Sequence, residues 1–202
     1  MVKAVQKCGG VYDVRVITLP KYDLFDTQLS GRQITFLNKF TDTPEPVDAD
    51  AVYGILAAPT CTMFSLARNN AKTPRDFDGA MKLIEKCLEI IWYCRRSNKS
   101  RLKFWALENP RAYLRQFLGV PPFSFSPEEF GDVYTKPTDI WGYFNIPTKT
   151  HKPLPGQTFL SIVDTQPQLP DDYILPDGWT ARAARRSMTS ACFAEAFFMA
   201  NK

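Results

Sequence analysis

Short apolar runs alternate along the chain with one long segment of helical periodicity. The runs at 11–19, 52–58, 104–107 and 139–144 are rich in β-branched and aromatic residues and are followed by proline or polar residues, which predicts strands. Between the second and third runs, apolar side chains recur every three or four residues over 77–94, which predicts a helix of about five turns. Strands that alternate with helical segments favour an α/β fold with a mainly parallel sheet.

The segments between these runs carry turn and helix-end signals. Thr73-Pro74-Arg75-Asp76 is typical of a helix start, with Thr73 as the capping residue. Residues 27–50 are polar and end in a Pro/Asp-rich stretch, so we expect a linker with at most one helical turn. The pattern also predicts a short helix over 111–118 and a loop-rich, proline-rich segment over 145–181. Residues 182–201 begin with a cationic stretch that contains Arg182, Arg185 and Arg186, and we expect an apolar helix after it, carried by Phe193 to Ala200, that docks on the sheet.

Composition indicates a single globular domain. The chain has 202 residues, 45% hydrophobic and 23% charged, and its net charge of +4 fits a polyanionic partner without requiring one. The five cysteines are odd in number and lack zinc-type spacing, which predicts a reducing compartment, no disulfide framework and no metal site. Cys87 and Cys94 are expected to face the core. With no signal peptide and no apolar run of membrane-spanning length, we expect a soluble cytoplasmic protein.

Cys61 is the strongest candidate for chemistry. The apolar run 52–58 is ended by Pro59, and Cys61 follows two residues later, at the start of a polar and basic loop. Ligands of open α/β sheets bind beyond the carboxyl ends of the strands, where this loop is predicted to lie. A buried cysteine that only fills the core is the other interpretation, and the two carry about equal weight. Glu108 follows the next predicted strand and is therefore expected at the same end of the sheet.

Two further features have plain structural interpretations. The cationic stretch 95–103 has two interpretations, a solvated helix end and a phosphate site, and we weight the first about twice as heavily as the second. His151, the single histidine, is expected in an exposed loop.

Three motifs in order resemble the DNA cytosine-5 methyltransferases. They are Pro59-Thr-Cys-Thr-Met-Phe-Ser65, Leu107-Glu-Asn-Pro110, and the segment from Phe130-Gly131 through Tyr134-Thr-Lys-Pro-Thr138 to Trp141-Gly142. The likeness runs from about Tyr12 to the C-terminus and is nearest to the short, phage-encoded branch of that family. It implies a Rossmann-like, mostly parallel sheet with helices on both faces, S-adenosylmethionine as cofactor and double-stranded DNA as partner. For a phage-encoded protein it implies the host cytoplasm.

The resemblance also implies catalytic roles. Cys61 matches the nucleophile, whose thiolate adds to C6 of a flipped-out cytosine and makes C5 reactive toward a methyl donor. Glu108 matches the acid that holds N3 and the amino group of that base. Asn109 matches the residue that orients the cysteine loop. Lys136 stands where the family places an arginine of a Gln-x-Arg-x-Arg pattern that contacts the base.

Further roles concern the cofactor and the DNA backbone. The resemblance implies four residues that contact the cofactor. Asp23 and Asp26 are acids that match the position which bonds the adenine amino group, and Thr18 and Pro59 lie at the ends of two predicted strands. Polar and basic residues of the cysteine loop and of the C-terminal segment are expected to contact DNA: Ser65, Arg68, Asn69, Lys72, Arg185 and Arg186. Residues 145–181 stand in place of a target-recognition domain, so we expect a short or loosely specified target site.

The chain departs from the family pattern on the cofactor side. The family's first strand and its Phe-x-Gly-x-Gly loop have no counterpart here, and Thr189-Ser-Ala-Cys-Phe-Ala194 replaces the branch's usual Thr-Pro-Pro-Gly-Phe-Ala. Three hypotheses follow. The chain is a DNA cytosine-5 methyltransferase, a non-catalytic relative that binds DNA or a partner without cofactor, or a fragment whose natural start lies upstream.

Overall fold

A computed structural model describes residues 12–154, 156–162, 169, 173–175 and 178–202. These residues fall into two compact units. The first, here called the cysteine-loop unit, comprises Ile17–Pro122 and Ile140–Phe144. The second, here called the C-terminal unit, comprises the described parts of Met1–Val16, Phe123–Asp139 and Asn145–Lys202.

Both units contain helices and strands. The strands are β1 (Gln28–Ser30), β2 (Gln33–Asn38), β3 (Thr43–Asp48), β4 (Gly54–Ala57), β5 (Phe104–Pro110), β6 (Phe123–Phe125), β7 (Tyr134–Thr135), β8 (Thr138–Tyr143) and β9 (Leu160–Ser161). The α-helices are α1 (Phe77–Arg95), α2 (Arg115–Leu118), α3 (Ala181–Ser187) and α4 (Ala191–Asn201). The fold is mixed α/β, as predicted, with parallel and antiparallel strand pairs.

The central βαβ segment of the cysteine-loop unit agrees with the sequence pattern. β4 pairs in parallel with β5, with Ala57 opposite Leu107. α1 connects them, and its apolar stripe buries Ile84, Ile91 and Cys94, among others, in the core. Because parallel strands point the same way, the residues that follow β4 and the last residues of β5 lie at one edge of the sheet, here called the carboxyl edge.

The capping residue of α1 differs from the prediction. The helix begins at Phe77, and the carboxylate of Asp76, not the hydroxyl of Thr73, accepts from a backbone N–H of the first turn, that of Gly79, at 2.8 Å. The hydroxyl of Thr73 instead accepts a hydrogen bond from Arg68 at 2.5 Å. An aspartate and a threonine are both good caps. The competing contact with Arg68 explains why the helix begins later.

The prediction of a linker over 27–50 was wrong. β1, β2 and β3 form an antiparallel sheet in that order, and alternate residues of β2, including Ile34 and Phe36, are buried. This alternation is the strand signal that the polar composition concealed. Pro44 and Pro46 lie in β3, an edge strand, where missing backbone donors are tolerated.

The predicted strand over 11–19 is not formed in its described part. Residues 12–18 are neither strand nor helix, and a turn begins at Leu19. Tyr12, Val14, Val16 and Leu19 each expose more than a third of their surface, between 37% and 54%. β-branched residues favour strands mainly through packing on a half-buried sheet. Without that burial, the local preference does not suffice.

β8 extends the sheet of the cysteine-loop unit beside β5. Its position matches the strand predicted at 139–144. Gly142 is required there, because a Cβ atom at this position would overlap the backbone carbonyl of Trp105 in β5. The close approach of the two strands therefore depends on a residue without a side chain.

The C-terminal unit is built around stacked aromatic rings. Phe193 of α4 stacks on Phe125 of β6 with ring centroids 3.7 Å apart, and Phe130 contacts both rings. The apolar helix predicted after the cationic stretch is α4, and Ser190 caps it by accepting from the backbone N–H of Phe193 at 3.1 Å. The cationic stretch itself forms the separate helix α3. The helix predicted over 111–118 is restricted to α2.

The described part of the chain lacks two kinds of feature, a membrane-spanning helix and a cluster of metal ligands. Among the described residues, no helix is both long and apolar enough to cross a membrane. The same residues contain no group of three or more His, Cys, Asp or Glu placed to hold a metal ion. Within the described parts of 145–181, the strands and helices with defined bounds are β9 and the start of α3. The rest of this predicted loop segment lies partly outside the described residues.

Cys87 and Cys94 face the core as predicted, and burial raises the pKa of each thiol to about 11. Unfolding restores an ordinary pKa near 9.0, so the unfolded chain loses these protons first as the pH rises. We therefore expect the free energy of unfolding to fall between pH 9 and 11. Urea titrations should show a shallower fall for the double variant Cys87→Ala/Cys94→Ala over that range. Equal slopes for the two proteins would contradict the assignment.

Candidate active site at the carboxyl edge

Cys61 opens a tight turn beyond β4. Its backbone carbonyl accepts from the N–H groups of Phe64, at 3.0 Å, and Ser65, at 2.8 Å. The side chain is a half-buried thiol. The turn places this thiol at the carboxyl edge, where ligands of α/β sheets bind.

Phe64 anchors the cysteine turn to the core. Its side chain has no exposed surface, and its ring lies 5.9 Å from the rings of both Phe77 and Phe117. Its carbonyl accepts from the backbone N–H of Tyr113 at 3.1 Å. A buried aromatic residue of this kind fixes the path of the loop, because moving it would expose the ring and leave a cavity.

Glu108 and Asn109 are the residues that β5 brings to this edge. The strand continues to Pro110, beyond the predicted end at 107, so both residues are held in extended backbone. Asn109 is fully buried, and its Nδ2 donates to the carbonyl of Pro59 at 3.3 Å. Pro59 precedes Cys61 by two residues. This hydrogen bond therefore joins the strand that carries Glu108 to the loop that carries Cys61.

The other half of the Asn109 amide is unusual. Its Oδ1 is buried and has no hydrogen-bond partner within the described part of the chain. A buried acceptor of this kind costs stability and normally has a partner. The Asn109 side chain is held by packing and by the hydrogen bond that its Nδ2 donates to Pro59. Both suit a residue that positions a neighbouring loop.

Arg75 organises the cysteine loop, and sequence analysis missed it. Its guanidinium donates to the carbonyls of Met63 and Ser65, the latter at 3.0 Å, and to Oδ1 of Asn69 at 2.8 Å. It also lies 4.6 Å from the centre of the Tyr113 ring. Its place in a helix-start motif concealed this role. The one sequence feature that could have indicated this role is the position of a cation directly after a loop, where its guanidinium can reach the backbone carbonyls of that loop.

The predicted DNA contacts in this loop are largely engaged within it. Arg68 donates to Thr73, and the hydroxyl of Ser65 accepts from the backbone of Ala67 at 3.2 Å. Asn69 accepts from Arg75, as described above. Lys72 is exposed. The loop is thus cross-linked by its own polar side chains, with Lys72 at the surface.

The predicted cofactor acids flank a short 3-10 turn, Leu24–Asp26. Lys39 forms ion pairs with Asp26 at 3.2 Å and Asp23 at 3.4 Å, and these carboxylates, that of Asp26 first, raise the pKa of Lys39. Leu24 packs against the same cluster as Phe64, which brings this turn to the core beneath the cysteine loop. Thr18 is exposed, and its carbonyl accepts from Tyr22 at 2.9 Å.

This donor set can be tested against S-adenosylmethionine. The carboxylate of Asp26 is 43% exposed, so it can accept a further hydrogen bond beside the one from Lys39. An adenine amino group is a donor of the required kind. Asp26 is therefore free to accept from such a group, as from any other donor that reaches this surface.

Three of the predicted site residues lie in the C-terminal unit. Nζ of Lys136 donates to the carbonyl of Met188 at 3.2 Å, and its backbone N–H donates to the hydroxyl of Ser126 at the same distance. Arg185 and Arg186 are half-buried in α3. Within this unit, Lys136 therefore ties the approach to β8 to the segment between α3 and α4.

No protein-family model matches the chain, and no curated protein matches it.

Arg75 supplies a test of the loop geometry. We expect Arg75→Gln to lower the free energy of unfolding by about 2 kcal/mol, because it removes charge-assisted hydrogen bonds to partly buried carbonyls. The looser turn should also speed alkylation of Cys61 by iodoacetamide several-fold, as measured by peptide mass spectrometry. Lys72→Gln, in the same loop, is the matched control and should change neither quantity. Equal effects of the two variants would contradict the role given to Arg75.

Proposed function

We propose that the chain is a DNA cytosine-5 methyltransferase that acts through a covalent adduct of Cys61. The observation that carries the proposal is the buried hydrogen bond from Asn109 to Pro59. It joins the loop that carries the Cys61 thiol to the neighbouring parallel strand, which carries the Glu108 carboxylate. A cysteine that only fills the core would not need this arrangement.

The residues at this edge have complementary roles in the proposed reaction. Cytosine must first leave the DNA stack, since its C6 is not accessible inside the duplex. The thiolate of Cys61 then forms a bond to C6, and the electron pair of the C5–C6 double bond moves into the ring. The carboxyl group of Glu108 holds N3 and the amino group of the base and relays a proton to N3 as that charge develops, and C5 gains nucleophilic character.

S-adenosylmethionine, with Asp26 as acceptor for its adenine amino group, would supply the electrophilic methyl group for C5. After transfer, C5 loses its proton to solvent, and that electron pair re-forms the C5–C6 double bond and expels the thiolate of Cys61. N3 returns its proton through Glu108 in the same step. Asn109 keeps the loop in register throughout. The four described cysteines are free thiols, which is the form expected in the reducing cytoplasm that this proposal implies.

One observation favours a second candidate, a non-catalytic DNA- or partner-binding protein. Both acids expected at the cofactor already pair with Lys39. A protein of this kind would bind no S-adenosylmethionine. Titration calorimetry with S-adenosylhomocysteine therefore separates the two candidates, since micromolar binding supports the methyltransferase.

A mechanism-based trap tests the cysteine step. Duplex DNA with 5-fluorocytosine should become covalently attached to the wild-type protein when S-adenosylmethionine is present, because fluorine at C5 cannot leave as a proton. Cys61→Ser should abolish both attachment and methyl transfer. Cys192→Ser, which changes an exposed cysteine of the C-terminal unit, should retain both. Retained methyl transfer in Cys61→Ser would overturn the proposal.

A further inference from the structure

The cationic stretch after α1 lies at the opposite edge of the sheet from Cys61. α1 leads from the carboxyl edge of β4 back to the start of β5, so residues 92–103 collect where these strands begin. We call this edge the amino edge. Its surface is formed by Trp92, Arg95, Arg96, Lys99, Arg101, Lys103 and, at the end of β8, Tyr143.

The charge of this surface is uncompensated locally. Five cations fall within residues 95–103, no acid lies between them, and all five side chains are exposed. None of them forms an ion pair with a carboxylate in the described ranges, whereas Lys39, Lys86 and Lys149 do. A cluster of one sign that lacks counter-charges attracts a polyanion.

Aromatic rings are interleaved with these cations. Trp92 and Tyr143 are 65% and 64% exposed, and the guanidinium of Arg95 lies 5.5 Å from the centre of the Tyr143 ring. Trp92 precedes Arg95 and Arg96 by three and four residues, so the three share one face of the helix. Exposed rings beside arginines are the elements with which proteins stack unpaired bases.

A small pocket lies within this surface. It has a volume of about 120 Å³ and is lined by Arg95, Leu102, Phe104, Trp105 and Tyr143. The indole N–H of Trp105 is buried without an acceptor in the described part of the chain. Sites for complete small molecules measure about 300–1,000 Å³. The pocket therefore suits one group of a longer ligand, such as a phosphate or a base edge.

We propose that the amino-edge surface binds single-stranded nucleic acid, with the cations on phosphates and Trp92 and Tyr143 on bases. An anionic membrane is the less favoured occupant, because the exposed rings are separated by cations and form no continuous apolar face. This surface is distinct from the carboxyl edge. Its assignment does not depend on the proposed methyltransferase activity.

The test uses a fluorescein-labelled 20-mer of thymidylate, which contains no cytosine and cannot serve the Cys61 reaction. Fluorescence anisotropy is measured over a series of salt concentrations. We expect Lys99→Gln/Arg101→Gln to reduce the slope of log affinity against log salt by about 1.4, that is, about 0.7 for each lost phosphate contact. Trp92→Ala should weaken binding about tenfold and leave the slope unchanged, since it removes stacking alone.

Lys82→Gln/Lys152→Gln is the matched control, with the same loss of charge at two exposed lysines elsewhere, and it should bind like the wild type. Equal slopes for the two double variants would overturn the proposal. So would binding of the wild type to phosphatidylserine vesicles without binding to the oligonucleotide. Failure of the cytosine trap, by contrast, would leave this result unaffected.

Discussion

One buried hydrogen bond sets the geometry on which the candidate active site depends. The amide of Asn109 donates to the carbonyl of Pro59 and thereby links the ends of two parallel strands. Without this donor, a buried carbonyl would lose its partner, at a cost of about 1–3 kcal/mol. The cysteine turn would then lose one of its anchors and retain those made by Phe64 and Arg75. This link holds the loop that carries the Cys61 thiol against the strand that carries the Glu108 carboxylate, and so keeps both at one edge of the sheet.

The βαβ connection gives the two edges of the sheet different chemistry. At the carboxyl edge, the turn after β4 is short, internally hydrogen-bonded and closed over an aromatic core. At the amino edge, α1 ends in a run of cations that have no local counter-charges. A long helix between parallel strands necessarily separates these two surfaces. One edge is suited to positioning a reactive group, and the other to attracting a polyanion.

The sequence predicted the parts of the fold that are fixed by burial. β4, α1, β5 and β8 carry strong apolar patterns, and each appears near its predicted position. The predictions were wrong where the local sequence pattern and the actual burial of the side chains disagree. Residues 12–18 are rich in β-branched side chains, yet Tyr12, Val14 and Val16 remain exposed. β2, by contrast, buries Ile34 and Phe36 within a segment whose polarity suggested a linker.

The positions of Cys61 and Glu108 at one edge of the sheet were predictable, and the resemblance also indicated Asn109 beside the loop, but the other supports of the loop were not predictable. A proline-interrupted strand end indicated Cys61, and the end of the next strand indicated Glu108. The contacts of Arg75 were not predictable, because they run to backbone carbonyls that carry no residue-specific signal. The ion pairs of Lys39 with two acids were equally hidden, since they join residues 13 and 16 positions apart.

The most direct measurement of the central claim is tritium release from duplex DNA labelled at C5 of cytosine. Addition of Cys61 to C6 makes C5 exchange its hydrogen with water, so release reports the covalent step itself. We predict release by the wild-type protein, and none by Cys61→Ser. Wild-type protein that is folded and binds the DNA but releases no tritium, with or without S-adenosylmethionine, would contradict the account.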